Sequence, residues 1–137
     1  YFGFTYCPDI CPSASQKLGQ AQTYLGKGRD DIGYVLISVD PERDTVESLS
    51  QYVTANGFPE GLQGFTGTVN EIEVAKAAYK VYASKVDTPE SAGDYTVDHS
   101  DIMYFMNAEG QFVDYFMGRS TPTEMAARIT RHLKTGQ

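Results

Sequence analysis

Residues 1–12 read YFGFTYCPDICP, and this stretch decides the fold. The aromatic run over 1–6 passes directly into a segment bracketed by Pro8 and Pro12, which predicts a short strand ending in a loop. Cys7 and Cys11 follow at once and are the only cysteines of the chain. Ser13 with Gln16 three positions later is a capping-box pattern. Leu18, Ala21, Tyr24 and Leu25 then recur at helical spacing, which predicts a helix running to about Leu25. After the loop-like GKGRDD, the apolar run YVLISV over 34–39 ends at Asp40-Pro41 and reads as a buried strand. A right-handed crossover makes these two strands parallel, so Cys7 and Asp40 are expected at the same edge of a sheet.

Further along, Asp44 with Glu47 suggests a second N-terminal box. Val46, Leu49, Tyr52 and Val53 form the apolar face of a helix expected to stop at Asn56-Gly57. A third helix is expected from Thr68, boxed by Glu71, with Ile72, Ala75, Tyr79 and Tyr82 on one stripe. DTPESAGD is a breaker-rich loop. The strand-like runs 102–106 and 112–116 flank NAEG, a hairpin signal, so they should pair antiparallel. Thr121, Pro122 and Glu124 open a last helix carrying Met125, Ile129 and Leu133. Strand, helix, strand, two helices, hairpin and helix, with no internal repeat, is the layout of a thioredoxin-like α/β domain with a mixed central sheet flanked by helices, and it also fits other mixed-sheet folds.

The 137 residues fit one domain, with 41% hydrophobic and 21% charged side chains and 17 Tyr plus Phe to fill a core. That balance excludes a predominantly disordered chain. A net charge of −7 repels phosphate backbones, so nucleic acid is not an expected partner. The most apolar stretches fall far short of the roughly 20 residues a membrane-spanning helix needs. The chain opens at Tyr1 without Met and inside an expected strand, so any signal or anchor that precedes it is out of view.

The chemistry is expected where the strand ends meet. A dithiol ahead of a helix faces unsatisfied N–H groups and a partial positive charge, which favour thiolate over thiol. Two buried thiols or an inert disulfide would be the bland alternative, but a bridge closing so short a loop stabilises little. Such a pair is better suited to cycling between bridged and open states, or to gripping a soft metal. If the strand from Ile102 runs antiparallel to the first two, the preceding VDHS reaches the same edge and brings His99 towards the dithiol. Two sulfurs and one imidazole suit copper in either oxidation state, while the same donors with a water could hold zinc. Otherwise His99 is a loop histidine bonded to backbone. Asp40 is a turn residue ahead of Pro41 or a carboxylate tuning the site from behind the ligands. His132, in the last helical turn, is expected at the surface. Met103 and Met106 are expected to serve in packing.

Five separated blocks, YFGFTYCPDICP, ISVDPERDT, GFTGT, DYTVDHS and MNAEGQFVDYF, resemble the Sco/SenC family of copper-binding assembly proteins over nearly the full chain. The resemblance implies a thioredoxin-like fold and one copper ion, Cu(I) or Cu(II), bound by Cys7, Cys11 and His99, with Asp40 near the site. It further implies a role in building the binuclear copper site of cytochrome c oxidase subunit II. Where thioredoxins place a cis-proline facing the dithiol, this chain reads Asp98-His99-Ser100. The family also implies an N-terminal membrane anchor and first strands preceding this domain. The expected location is the bacterial periplasm at the inner membrane, or alternatively the mitochondrial intermembrane space. Delivery of copper is the leading function. Its rivals are a thiol-disulfide reductase acting on the recipient's copper-ligand cysteines, fed by a thioredoxin-like reductant, a peroxidase, and a copper or redox sensor. A copper-donor chaperone would be a further partner.

Overall fold

The computed structural model describes residues 1–5, 10–79, 83–87, 95–99 and 102–135, with backbone placement alone for 10–12, 27–29, 83–87, 95–99 and 135. Strand β1 (Phe2–Gly3) pairs in parallel with β2 (Val35–Ser38), and β2 pairs in parallel with β3 (Gln63–Phe65). Phe2 lies opposite Ile37, and Gly3 opposite Ser38. The expected parallel relation of the first two strands is therefore observed. β3 had no visible signal, since QGF carries no alternation of its own and becomes a strand only through its partner.

Helices cover both faces of this sheet. Phe2, Phe4 and Val39 pack against Ala75 and Tyr79 of α3 (Val69–Tyr79). Leu36 packs on the other side with Leu49 of α2 (Val46–Tyr52) and Leu18 of α1 (Ile10–Leu25). Cover on both faces accounts for most of the apolar character of the run over 34–39, although Val35 at its start is exposed. Strands β4 (Ala83–Asp87) and β5 (Tyr95–His99) form an antiparallel pair, and so do β6 (Ile102–Met106) and β7 (Phe112–Met117). The sheet expected as one mixed layer is thus hydrogen-bonded as three pieces among the described residues. β1 and β6 meet through side chains, the Phe2 and Tyr104 rings standing edge to face at 5.9 Å.

The 107–111 turn follows its sequence signal. Asn107 Oδ1 accepts from the backbone N–H groups of Glu109 and Gln111 at 3.1 and 2.8 Å, and Gly110 adopts φ 79°. α4 (Pro122–Thr135) opens on Thr121, whose hydroxyl accepts from Glu124 N–H. Its stripe of Met125, Ala126 and Ile129 packs with Ala14, Ala21 and Leu25 of α1 and with Met103 and Phe116. α3 carries the expected box at Thr68 and Glu71, and those hydrogen bonds hold the Glu71 carboxyl below its usual range.

Several boundaries differ from expectation. α1 opens at Ile10, so Ser13 lies within its first turn rather than at its cap. Pro12 is tolerated there because a first-turn N–H has no helical partner to lose. α2 ends at Tyr52, ahead of Asn56-Gly57, and Val46 is exposed instead of facing the core. The box of α2 is Thr45 with Ser48, not Asp44 with Glu47. Tyr82 lies outside the described residues.

His132 also differs from its expected surface role. Its ring stacks on Phe105 at 5.5 Å, and Nε2 lies 3.0 Å from Asp114 Oδ2. Asp114 additionally forms a two-point ion pair with Arg128, whose guanidinium sits 4.8 Å above the Phe116 ring. Burial pushes the Asp114 carboxyl up, but hydrogen bonds from Arg128, His132 and the Tyr115 N–H, with the Arg128 charge, outweigh it and hold the group below its usual range.

Two predictions follow from this packing. A Cβ on Gly19 would stand 1.9 Å from the carbonyl oxygen of Gly57, so α1 passes directly over the turn after α2. Gly19→Ala is expected to cost about 3 kcal/mol, read as a fall in the urea midpoint. Because the Asp114 pKa is lowered on folding, its contribution is present above the unfolded value of about 3.9 and is lost as pH falls through the folded one. Asp114→Asn is expected to lower stability at pH 7 and to flatten its decline below about pH 4, measured by thermal unfolding across that range.

Candidate metal centre

The candidate chemistry is expected at the C-terminal ends of β1 and β2. Beyond β1 lie Phe4 and Thr5, and Cys7 follows two residues later in sequence, outside the described residues. Cys11 is the second residue of α1, which places its backbone in the first turn of that helix. His99 closes β5, with its Cα opposite Ala83. It therefore belongs to a strand rather than to the loop expected ahead of Ile102. Its strand state comes from the partner β4, whose ASKVD sequence has too little alternation to read as a strand alone. The side chains of Cys11 and His99 are outside the described residues, as is all of Cys7. Among the described residues no group of three or more His, Cys, Asp or Glu is placed to hold a metal.

Asp40 is described in full and is far from a plain turn residue. It is buried at the end of β2, and its carboxylate accepts from Arg43 Nε at 2.5 Å. The Arg43 guanidinium lies 6.0 Å from the centre of the Phe4 ring, so the pair spans from β2 back to the residue after β1. The backbone N–H groups of Arg43 and Asp44 close onto the Asp40 carbonyl at 3.2 and 2.9 Å, forming the turn that starts VDPERD.

Asp44 is the residue the sequence reading missed. Its carboxylate does not cap α2. It accepts from Thr5 N–H at 3.1 Å, from Thr5 Oγ1 at 2.5 Å and from Ser38 Oγ at 2.7 Å. Ser38 Oγ in turn accepts from Asp40 N–H at 3.0 Å. Two buried carboxylates four residues apart are thereby met by two hydroxyls, one amide and one guanidinium, which is the condition for keeping charge inside a fold. The available signal was a pair of aspartates bracketing an arginine straight after a buried strand, too many charges at a sheet edge to be an ordinary turn.

A cavity of about 420 Å³ lies elsewhere, at the opposite ends of the strands, lined by Tyr1, Ile32, Val35 and residues 103–108 among others. None of the described residues that line it is a candidate donor.

Comparison with known proteins places the chain in a family. The sequence model of the SCO1/SenC family matches residues 1–134, and the chain belongs to that family. It is 41% identical over 137 residues to a zebrafish (Danio rerio) protein named "Protein SCO2 homolog, mitochondrial", covering 98% of this chain and 48% of that one. The chain spans about half the length of the curated relatives it matches. The structure of Bradyrhizobium japonicum ScoI with copper bound superposes with a TM-score of 0.83 at 40% identity, covering 96% of this chain and 81% of that one. A structure of BsSco, described as a member of the Sco family of cytochrome c oxidase assembly proteins with a disulfide switch, superposes with a TM-score of 0.70 at 26% identity. It covers 99% of this chain and 78% of that one. The thioredoxin-like α/β fold read from the sequence is that of these relatives.

The Asp40 side chain is 1% exposed and that of Arg43 11%. Removing one partner of so buried a pair strands the other, so Arg43→Met is expected to lower the stability of the metal-free, reduced protein by about 3 kcal/mol. Denaturant unfolding measures this, and a loss below about 0.5 kcal/mol, as for an exposed pair, contradicts the burial argument.

Proposed function

We propose that this chain is a copper-binding domain that carries one copper ion on Cys7, Cys11 and His99 and hands it to the binuclear copper site of cytochrome c oxidase subunit II. The observation that carries this reading is the likeness, across nearly all of the chain, to a relative solved with copper bound. The donor chemistry supports it. Two thiolates and an imidazole give soft sulfur for Cu(I) and nitrogen for Cu(II), and two thiolates neutralise Cu(II) or leave Cu(I) with one negative charge. Three donors leave the ion open to a fourth, so a recipient's ligands can enter before the first ones leave. Asp40 acts from behind the ligands, where its charge is held by Arg43.

The domain works outside the cytosol, tethered to a membrane by a segment of the longer protein. We place it in the bacterial periplasm at the inner membrane, with the mitochondrial intermembrane space as the alternative. Relatives with a mitochondrial name and a bacterial source are both close in identity. Among the described residues no helix is long and apolar enough to cross a membrane.

A second reading is favoured by the placement of Cys11 in the first turn of α1 and by the disulfide switch of the BsSco relative. In it, one cysteine thiolate attacks a disulfide of the recipient's copper-ligand cysteines to form a mixed disulfide. The other cysteine then displaces the recipient as a dithiol, leaving a Cys7–Cys11 disulfide. Two electrons pass to the recipient, and a thioredoxin-like dithiol reductant restores the pair. A separate copper-donor chaperone would supply the metal.

Titration of the reduced protein with Cu(II), followed by visible spectroscopy, is expected to develop thiolate charge-transfer bands that saturate at one equivalent. His99→Ala is expected to weaken Cu(II) binding by more than about 100-fold, since even outer partners of a metal site are worth 10–100-fold. Exchange with a small disulfide should survive in that variant, whereas Cys7→Ser and Cys11→Ser should lose both activities. Copper binding at full affinity in either serine variant would exclude this ligand set.

A further inference from the structure

We propose that Asp44 is a positioning residue for the dithiol: its buried carboxylate locks the chain leaving β1, two residues ahead of Cys7, onto the end of β2 that carries Asp40. The inference rests on the reading of Cys7 and Cys11 as the working thiols.

Three observations carry it. Both the backbone N–H and the hydroxyl of Thr5 are donated to Asp44, at 3.1 and 2.5 Å, so the carboxylate sets the backbone direction as well as the rotamer at that point. Nothing else in the immediate sequence explains a nearly inaccessible aspartate, since α2 is capped by Thr45 and Ser48 without it. The same carboxylate reaches Asp40 through a single hydroxyl, because Ser38 Oγ donates to Asp44 at 2.7 Å and accepts from Asp40 N–H at 3.0 Å. Asp44 is itself held from both sides, its N–H bonded to the Asp40 carbonyl and its carbonyl accepting from Thr66 Oγ1 at 3.3 Å. A displacement of Asp44 therefore moves the approach to Cys7 and the backbone of Asp40 together.

The chemical demand is for a carboxylate. Three donors converge on two oxygens, and one of those donors, the Thr5 amide, cannot reverse its role. Asparagine of the same shape keeps one acceptor oxygen, and its NH2 can be met only if the Thr5 hydroxyl turns to accept. It therefore preserves the fold while loosening the hold. Alanine removes all three bonds. Dithiol equilibria respond to sub-ångström differences in sulfur placement, because the bridged form has narrow geometric tolerance and the open form does not.

The test measures the Cys7–Cys11 dithiol–disulfide equilibrium in glutathione buffers, alongside Cu(II) titration and thermal stability, for the unmodified protein and Asp44→Asn, Asp44→Ala, Thr5→Val and Thr5→Ser. Ile129→Val, in the separate cluster between α1 and α4, serves as a core substitution that lowers stability without touching this network. Asp44→Ala is expected to change the equilibrium constant about tenfold, which is about 30 mV for a two-electron couple. Asp44→Asn and Thr5→Val should shift it in the same direction by less, Thr5→Ser should restore it, and Ile129→Val should leave it unmoved. If Asp44→Ala does not fold, Asp44→Asn and Thr5→Val carry the decision. Variants that lose stability yet keep the equilibrium within twofold of the unmodified protein overturn the proposal and leave Asp44 a structural residue. Absence of charge-transfer bands in the unmodified protein would instead sink the copper reading, and the dithiol equilibrium would still decide the role of Asp44.

Discussion

The parallel ladder between β1 and β2 is the constraint on which the rest depends. It is short, with Phe2 opposite Ile37 and Gly3 opposite Ser38, continued by the Val39 N–H bonded to the Gly3 carbonyl at 2.8 Å. Parallel pairing across an intervening helix sends both strand ends to one edge, and that edge receives the cysteine-bearing segment from one strand and the VDPERD turn from the other. With antiparallel strands, Asp40 and the segment that leaves β1 would lie at opposite ends of the sheet.

The edge so created is unusually polar for a place this well covered. Asp40 and Asp44 are both nearly inaccessible, and a carboxylate removed from water is tolerated only when its lone pairs are met. Here the partners come from three separate pieces of chain: Thr5 after β1, Ser38 at the end of β2, and Arg43 within the turn. Charge-assisted hydrogen bonds of this kind contribute about 1.5–3 kcal/mol each, enough to define one geometry rather than several. Together these bonds make the ends of β1 and β2 a rigid wall.

Much of the fold was legible because it is written in local spacing. The Thr68–Glu71 box, the Asn107–Gly110 turn and the Thr121-Pro122 start of α4 were found where expected. What failed, failed for shared reasons. β3 and β4 have no pattern of their own and are strands only because β2 and β5 lie beside them. The Asp44 cap was misplaced because a short polar side chain followed by Glu looks the same whether it caps a helix or is recruited by a distant strand, and the Ser13 cap because α1 opens three residues earlier, at Ile10. His132 was placed at the surface from its position in a last turn, although Asp114 and Phe105 draw it inward.

For the site, the residue types and their order were enough to single out two cysteines, a histidine and an aspartate as a soft-metal or dithiol set, because thiolate chemistry and ligand softness are properties of the side chains themselves. The sequence by itself also determined which segments become α-helices and that the first two strands run parallel, since periodicity and crossover handedness are local rules, whereas Gly26–Asp31, expected as a loop, forms a 3-10 helix. Only the tertiary structure decided that Asp44 belongs to the strand ends and not to α2, and that Arg43 neutralises Asp40 beneath Phe4. Hydrogen bonds between residues 39 positions apart, as from Thr5 to Asp44, leave no periodic trace in the chain and exist only once burial has brought the two segments together.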